Sequence, residues 1–296
     1  MVQDRRALDL TALSLMVLLT ALWGFQQVSI KVIAADVSPV MQAAIRSILA
    51  GVLLLAWARV RGIALFQRDG TGWAGIGAGL LFAGEFVFIY AGLEHTNASR
   101  MAVFIYTAPP LTALGLHFFV RSERLVPGQW LGVLLAFAGL VLAFAEGFSS
   151  TQGATFIGDL CGVVAAVLWA STTVLIRATR LSRSTATKTL FYQLAVSAAV
   201  LPAASFILGE KGIVALTPLA VASLAYQGVI VAFASYLAWF WLLTRYLAAR
   251  LSVLSFLAPM FGVIFGVLLL DESLTGSFAV AALLVAAGIV LVNLRR

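Results

Sequence analysis

Glu123-Arg-Leu, followed by Leu134-Leu-Ala-Phe-Ala-Gly-Leu-Val-Leu142, returns 149 residues later as Glu272-Ser-Leu, followed by Leu283-Leu-Val-Ala-Ala-Gly-Ile-Val-Leu291. Glu123, Leu125, Leu134, Leu135, Ala138, Gly139, Val141 and Leu142 all meet identical residues at that shift. At a shift of 150, Ala98, Arg100, Val103, Ala108 and Pro109 meet Ala248, Arg250, Val253, Ala258 and Pro259, and at 146 Leu22-Trp23 meets Leu168-Trp169. Self-similarity over such a length marks an internal duplication. It divides the chain into residues 1–147 and 148–296.

The material being duplicated belongs in lipid. Of 296 residues, 62% are apolar and only 10% charged, with a mean hydropathy of +1.05. Soluble chains average roughly 45–50% apolar and about 25% charged, so soluble enzymes are excluded first. The excess of 19 Lys and Arg over 12 Asp and Glu is dispersed singly or in twos between apolar runs. It forms no basic face of the kind that binds nucleic acid. Cys161, the one cysteine, has no intrachain partner and is read as packing.

A helix crosses the roughly 30 Å hydrocarbon core in about 20 residues. Dividing the sequence at charges, Gly and Pro predicts ten spans, at about 8–32, 40–60, 73–93, 101–120, 130–144, 156–176, 189–208, 219–243, 251–270 and 277–294. The expected fold is therefore an all-α polytopic membrane protein of ten transmembrane helices. Lys and Arg are retained on the cytoplasmic side of span ends. Fifteen fall at the termini and in alternate links, against Lys31, Arg100 and Lys211 on the other side; Arg46 falls within a span. That asymmetry predicts both termini in the cytoplasm, which demands an even number of spans.

Five helices per half is odd, so the second half starts on the side opposite to the first. The two repeats are then inverted about an axis in the membrane plane, an arrangement typical of alternating-access carriers with a midplane site between the halves.

The ten-helix pattern carries Ala-Pro109 and Ala-Pro259, then Arg-Ser-Glu123-Arg-Leu and Leu-Asp-Glu272-Ser-Leu-Thr, each before an Ala/Gly/Leu-rich closing helix. It resembles the drug/metabolite transporter superfamily, and within it the EamA-type ten-helix exporters, over essentially the whole chain. Overall likeness is greatest to the bacterial aromatic amino-acid exporter branch. The resemblance implies a multi-pass carrier of a bacterial inner membrane that exports amino acids and related metabolites through a central cavity. Trp23-Gly24 and Arg46 also resemble the family; Arg46 corresponds to Tyr192 in the second half and is not duplicated.

A midplane site is sought among polar and aromatic residues far from span ends. Trp23, Gln27, Glu85, Tyr90, Tyr106, Trp169, Thr172, Tyr236 and Trp239 are the candidates. A mainly aromatic, nearly uncharged pocket suits a zwitterion with an apolar side chain. The competing reading of each aromatic is packing or interfacial anchoring. Trp239 and Trp241 cannot both face a cavity, since residues two apart diverge on a helix.

Glu85 is the only carboxylate well inside a span, and an intramembrane ionisable group is a functional candidate. Arg46 lies at matching depth, about 10 Å below Pro39 against about 12 Å for Glu85 below Leu93, at ~1.5 Å per residue. A paired Glu85 stays ionised and structural; an unpaired one is suited to carrying a proton in antiport. A third role, drawing in a substrate ammonium group, remains open. Pro109 and Pro259 fall mid-span, where a lost backbone hydrogen bond permits a kink, and are candidate hinges. Gly75, Gly79 and Gly84 are expected to allow close helix packing.

No cofactor is expected. The two histidines, His95 and His117, have no carboxylate-rich neighbourhood, so no metal site is expected. No catalytic constellation or phosphate-cradling loop is present. The alternatives to amino-acid export are carriage of a drug-like compound or a phosphorylated sugar, with a membrane enzyme third.

Overall fold

Long apolar runs become long helices because every backbone polar group must be satisfied within its own segment once water is excluded. The computed structural model describes residues 8–93, 95–96, 98–145, 156–270 and 278–293. Among them the regular structure is helical, with one isolated antiparallel bridge between Val37 and Ile213. In chain order the helices are α1 (Leu10–Val32), α2 (Pro39–Val60), α3 (Gly72–Leu93), α4 (Ala98–Ile105), α5 (Ala108–Phe119) and α6 (Pro127–Ala143). Then come α7 (Phe156–Ala178), α8 (Ala186–Ile207), α9 (Pro218–Ala225), a π-helical stretch (Tyr226–Ser235), α10 (Tyr236–Arg245), α11 (Ala248–Leu254), α12 (Leu257–Leu270) and α13 (Phe278–Asn293). Arg5, Arg6, Asp271, Glu272, Arg295 and Arg296, which entered the charge and repeat arguments, lie outside the described residues.

Eight segments among the described residues are long and apolar enough to cross a membrane, and two further apolar helices, α6 and α13, are shorter. The protein is a multi-pass membrane protein. Three of the expected continuous spans differ from the reading above. The fourth is broken at Tyr106-Thr107 and the ninth at Ser255-Phe256, while the eighth contains the π-helical stretch. Prolines explain the first two. Pro109 and Pro259 have no N–H to donate four residues back, but a helix's first turn has no such bond to make. The chain therefore stops and restarts, placing Pro109 in the first turn of α5 and Pro259 in that of α12. Hydroxyls cover the breaks: Thr107 Oγ1 donates to Phe104 O (2.7 Å) and Ser255 Oγ to Ser252 O (2.6 Å). Both prolines are thus helix starts rather than mid-helix kinks.

Packing is dominated by helix pairs that join residues 1–147 to residues 148–296: α6 with α13, α3 with α7 and α8, α2 with α8, and α1 with α12. Lipid offers no hydrophobic drive for helix association, so small residues that admit close approach carry it. A Cβ on Gly79 would stand 2.7 Å from Val196 and 2.8 Å from Tyr192 O. The α6–α13 seam is close along its length. A Cβ on Gly139 would lie 2.8 Å from Ala281 O, and one on Gly288 would lie 2.5 Å from both Gly132 O and Ala136 N.

The links gather at two ends. At the Lys/Arg-rich end, Lys188 Nζ donates to Asp69 Oδ2 and Gln67 O, both at 2.8 Å, and Thr71 Oγ1 donates to Asp69 Oδ1 (2.6 Å). These bonds, that from Lys188 foremost, hold the exposed Asp69 carboxyl well below the usual carboxylate range. Tyr246 Oη donates to Asp9 Oδ2 (2.8 Å) at the same end. At the other end, Glu210 accepts from Val40 N (3.0 Å), Met41 N (3.2 Å) and Ser205 Oγ (2.6 Å). It thereby caps the start of α2, where a carboxylate also meets the positive end of the helix dipole.

Candidate functional site

Arg46 and Glu85 sit inside α2 and α3, 2% and 8% exposed. Arg46 stacks its guanidinium over the Phe86 ring, 4.4 Å from the centroid. Neither charged group has a hydrogen-bond or ion-pair partner among the described residues, and the two do not reach each other, although each lies in the other's field.

Three tyrosines, one from α3 itself and two from further segments, close around them. Tyr236, at the start of α10, lies in electrostatic range of both Arg46 and Glu85. Tyr90 of α3 feels Arg46, and Tyr106, at the α4–α5 break, feels Glu85. The break matters here: it ends α4 where the chain delivers Tyr106 toward α7, so that its ring meets Trp169 edge to face at 5.5 Å. Trp23 of α1 approaches from the other flank, edge to face with Tyr236 (6.3 Å) and Trp239 (5.8 Å). Its indole N–H donates to Ser235 Oγ (2.9 Å), the last residue of the π-helical stretch. Such rings supply broad apolar faces with a polar atom at one edge.

Of the residues singled out from the sequence, Trp23, Arg46, Glu85, Tyr90, Tyr106, Trp169, Tyr236 and Trp239 form one connected neighbourhood drawn from both halves. The other two candidates are Thr172 and Gln27. Thr172 is buried with its hydroxyl donated to Leu168 O (2.9 Å) within its own helix, and Gln27 is exposed beside Gly262. Trp241 points elsewhere and carries the Arg245 guanidinium at 4.5 Å, as the divergence of positions two apart requires.

Three groups were missed. Phe82 bridges Phe86 (5.1 Å) and Tyr236 (6.0 Å), and its position one turn before Phe86 was a usable signal. Gln42, fully buried, accepts from Gln227 Nε2 (2.9 Å) and donates to Val37 O (2.8 Å). The third is a second buried Arg–Glu pair at the Lys/Arg-rich end. Arg177 and Glu123, 4% and 2% exposed, form an ion pair. Glu123 Oε2 also accepts from Ala249 N (3.1 Å), and Arg177 Nη1 donates to Leu243 O (3.2 Å). In the sequence Arg177 reads as a link charge and Glu123 as part of the repeated motif. Among the described residues no group of His, Cys, Asp and Glu is arranged to hold a metal.

This arrangement can surround a small amphiphile with rings and offer it one guanidinium and one carboxyl group. The comparisons with known proteins agree with a carrier. The chain is 30% identical over 293 residues to an uncharacterized transporter of Archaeoglobus fulgidus, covering 95% of this chain and 97% of that one. It is 27% identical over 285 residues to a probable amino-acid metabolite efflux pump of Salmonella typhimurium, covering 93% and 92%. A solved crystal structure superposes with a TM-score of 0.79 at 21% identity, over 96% of both chains, and shares the fold. The model of the EamA-like transporter family matches residues 10–145 and again residues 156–294. With nearly the whole length accounted for in this way, the chain belongs to the EamA-like transporter family and is a membrane transporter.

Proposed function

We propose that the protein exports neutral amino acids, aromatic ones among them, and related small metabolites across a bacterial inner membrane. In this reading residues 1–147 and 148–296 are two inverted five-helix repeats, with both termini cytoplasmic, that expose the site alternately to either side. The observation that carries it is the ring-lined neighbourhood between the halves, holding one buried guanidinium and one buried carboxyl group. A zwitterion with an apolar side chain matches both its sum of charge and its surface. The printed name of the Salmonella typhimurium relative supports the same substrate class. The helix breaks before Pro109 and Pro259, 150 residues apart, are the hinges of this motion: each frees backbone from the helical ladder at an equivalent place in either half.

A phosphorylated sugar is a poorer match, since its two negative charges would meet Arg46 and also Glu85. The test is flux of labelled phenylalanine, threonine and a sugar phosphate in proteoliposomes of the purified protein, with and without an imposed pH gradient. Saturable amino-acid movement without sugar-phosphate movement is expected. Movement of the sugar phosphate alone would overturn the substrate class, and the gradient arm reports whether a proton is coupled.

A further inference from the structure

The Arg46 guanidinium is spent only on one side. Stacked on Phe86, it uses the face of its plane, while its five N–H donors lie within the plane and find no hydrogen-bond acceptor among the described residues. A buried guanidinium left this way is costly, because desolvation is not repaid by charge-assisted hydrogen bonds. Glu85, also buried, has no hydrogen-bond donor among the described residues. The same two residue types join fully at Arg177 and Glu123, so the fold is able to build such a pair where it is needed for cohesion. Here it holds them apart among tyrosines drawn from both halves.

We propose that Arg46 and Glu85 are the two poles of a zwitterion site. The guanidinium fork receives an α-carboxylate bidentately, and the Glu85 carboxylate receives the α-ammonium, so that the ligand completes the bridge the protein leaves open. The inference rests on the amino-acid reading above and deepens it: the backbone of the amino acid is recognised by charge, the side chain only by ring surface. A site of zero net charge accepts a zwitterion without leaving a charge uncompensated. It disfavours an anion lacking the amine and a cation lacking the acid, because either leaves one pole unpaired. Phe86 acts as a positioning residue, holding the fork edge-on to the ligand.

The experiment is equilibrium binding to the purified full-length protein in detergent, by competition against labelled phenylalanine, with phenylalaninamide (no carboxylate) and 3-phenylpropionate (no ammonium) as competitors. Wild type is expected to bind phenylalanine at least tenfold more tightly than either analogue. Arg46→Gln should lower phenylalanine affinity to that of the amide and leave the amide itself unchanged. Glu85→Gln should mirror this, sparing 3-phenylpropionate. Arg46→Lys, which keeps charge and loses the fork, should fall between. Thermal unfolding of each variant separates loss of binding from loss of fold. Phenylalanine affinity retained in Arg46→Gln, or phenylalaninamide weakened as much as phenylalanine, overturns the two-pole assignment while leaving amino-acid export standing. Absence of binding of both phenylalanine and threonine by wild type overturns the amino-acid reading, and this one with it.

Discussion

Two Arg–Glu pairs lie in this molecule, all four residues more than nine-tenths buried, and they are used in opposite ways. Arg177 and Glu123 meet, and Arg177 Nη1 and Glu123 Oε2 are tied to Leu243 O and Ala249 N. Arg46 and Glu85 stay apart. The first pair gathers α7, the link after α5, α10 and the start of α11 at one end of the bundle, as a structural clasp would. The second is an unfinished pair at the convergence of the helices. Burial alone therefore does not distinguish the two uses; whether the opposite charges meet does.

The comparison breaks first under Glu123→Gln. Removing one partner of a buried ion pair strands the other and costs about 3–5 kcal/mol, visible as a large drop in thermal stability in detergent, whereas Glu123→Leu with Arg177→Met together should recover most of it. Arg46→Gln should leave stability unchanged or raise it, having no pair to break. A loss there equal to that of Glu123→Gln would make both pairs structural.

Next in size is Gly288→Ala, which sets a methyl against Gly132 O and Ala136 N. Overpacking of this kind costs about 1–3 kcal/mol, and Gly128→Ala, with open space around it, is the matched control. An equal effect of the two on unfolding would show that the seam yields.

Trp23→Ala sharpens the functional side. It removes ring contacts with Tyr236 and Trp239, and apparent substrate affinity should fall about tenfold, about 1.4 kcal/mol, with a smaller change in unfolding temperature. The reverse ranking would return Trp23 to packing.

The smallest effect belongs to Asp69→Asn. Because the folded carboxyl is held below its unfolded value near about 3.9, its contribution is complete above that pH and is lost as pH falls through the folded value. The variant should be slightly less stable at neutral pH, and its stability–pH profile should converge with that of wild type as pH falls through the folded value.

Much of this was legible because lipid simplifies the code. Length, charge spacing and self-similarity were enough to expect an all-helical multi-pass chain, the motifs around Pro109, Glu123, Pro259 and Glu272 carried the resemblance to the family, and the depth argument set Arg46 and Glu85 at matching depth, where they do not pair. What escaped depended on competition between local options. Pro109 and Pro259 could kink a helix or begin one, and only the hydroxyls of Thr107 and Ser255 tip the choice. The π-helical stretch Tyr226–Ser235 has no compositional mark, because it inserts no breaker and merely widens each turn. Glu123 and Arg177 look like surface charges until folding brings together positions 54 residues apart.

The seam between α6 and α13 has a form that belongs to assemblies. Gly139 abuts Ala281, and Gly132 abuts Gly288; adding 149 to the first member of each pair yields the second member of the other. On the repeat reading proposed above, position i touches j and position j touches i, the signature of an isologous homodimer axis, here drawn within one chain. A change on one α6 position is consequently also a change against its own duplicate, so compensating substitutions should be sought across the axis, as they are between protomers, rather than along the helix.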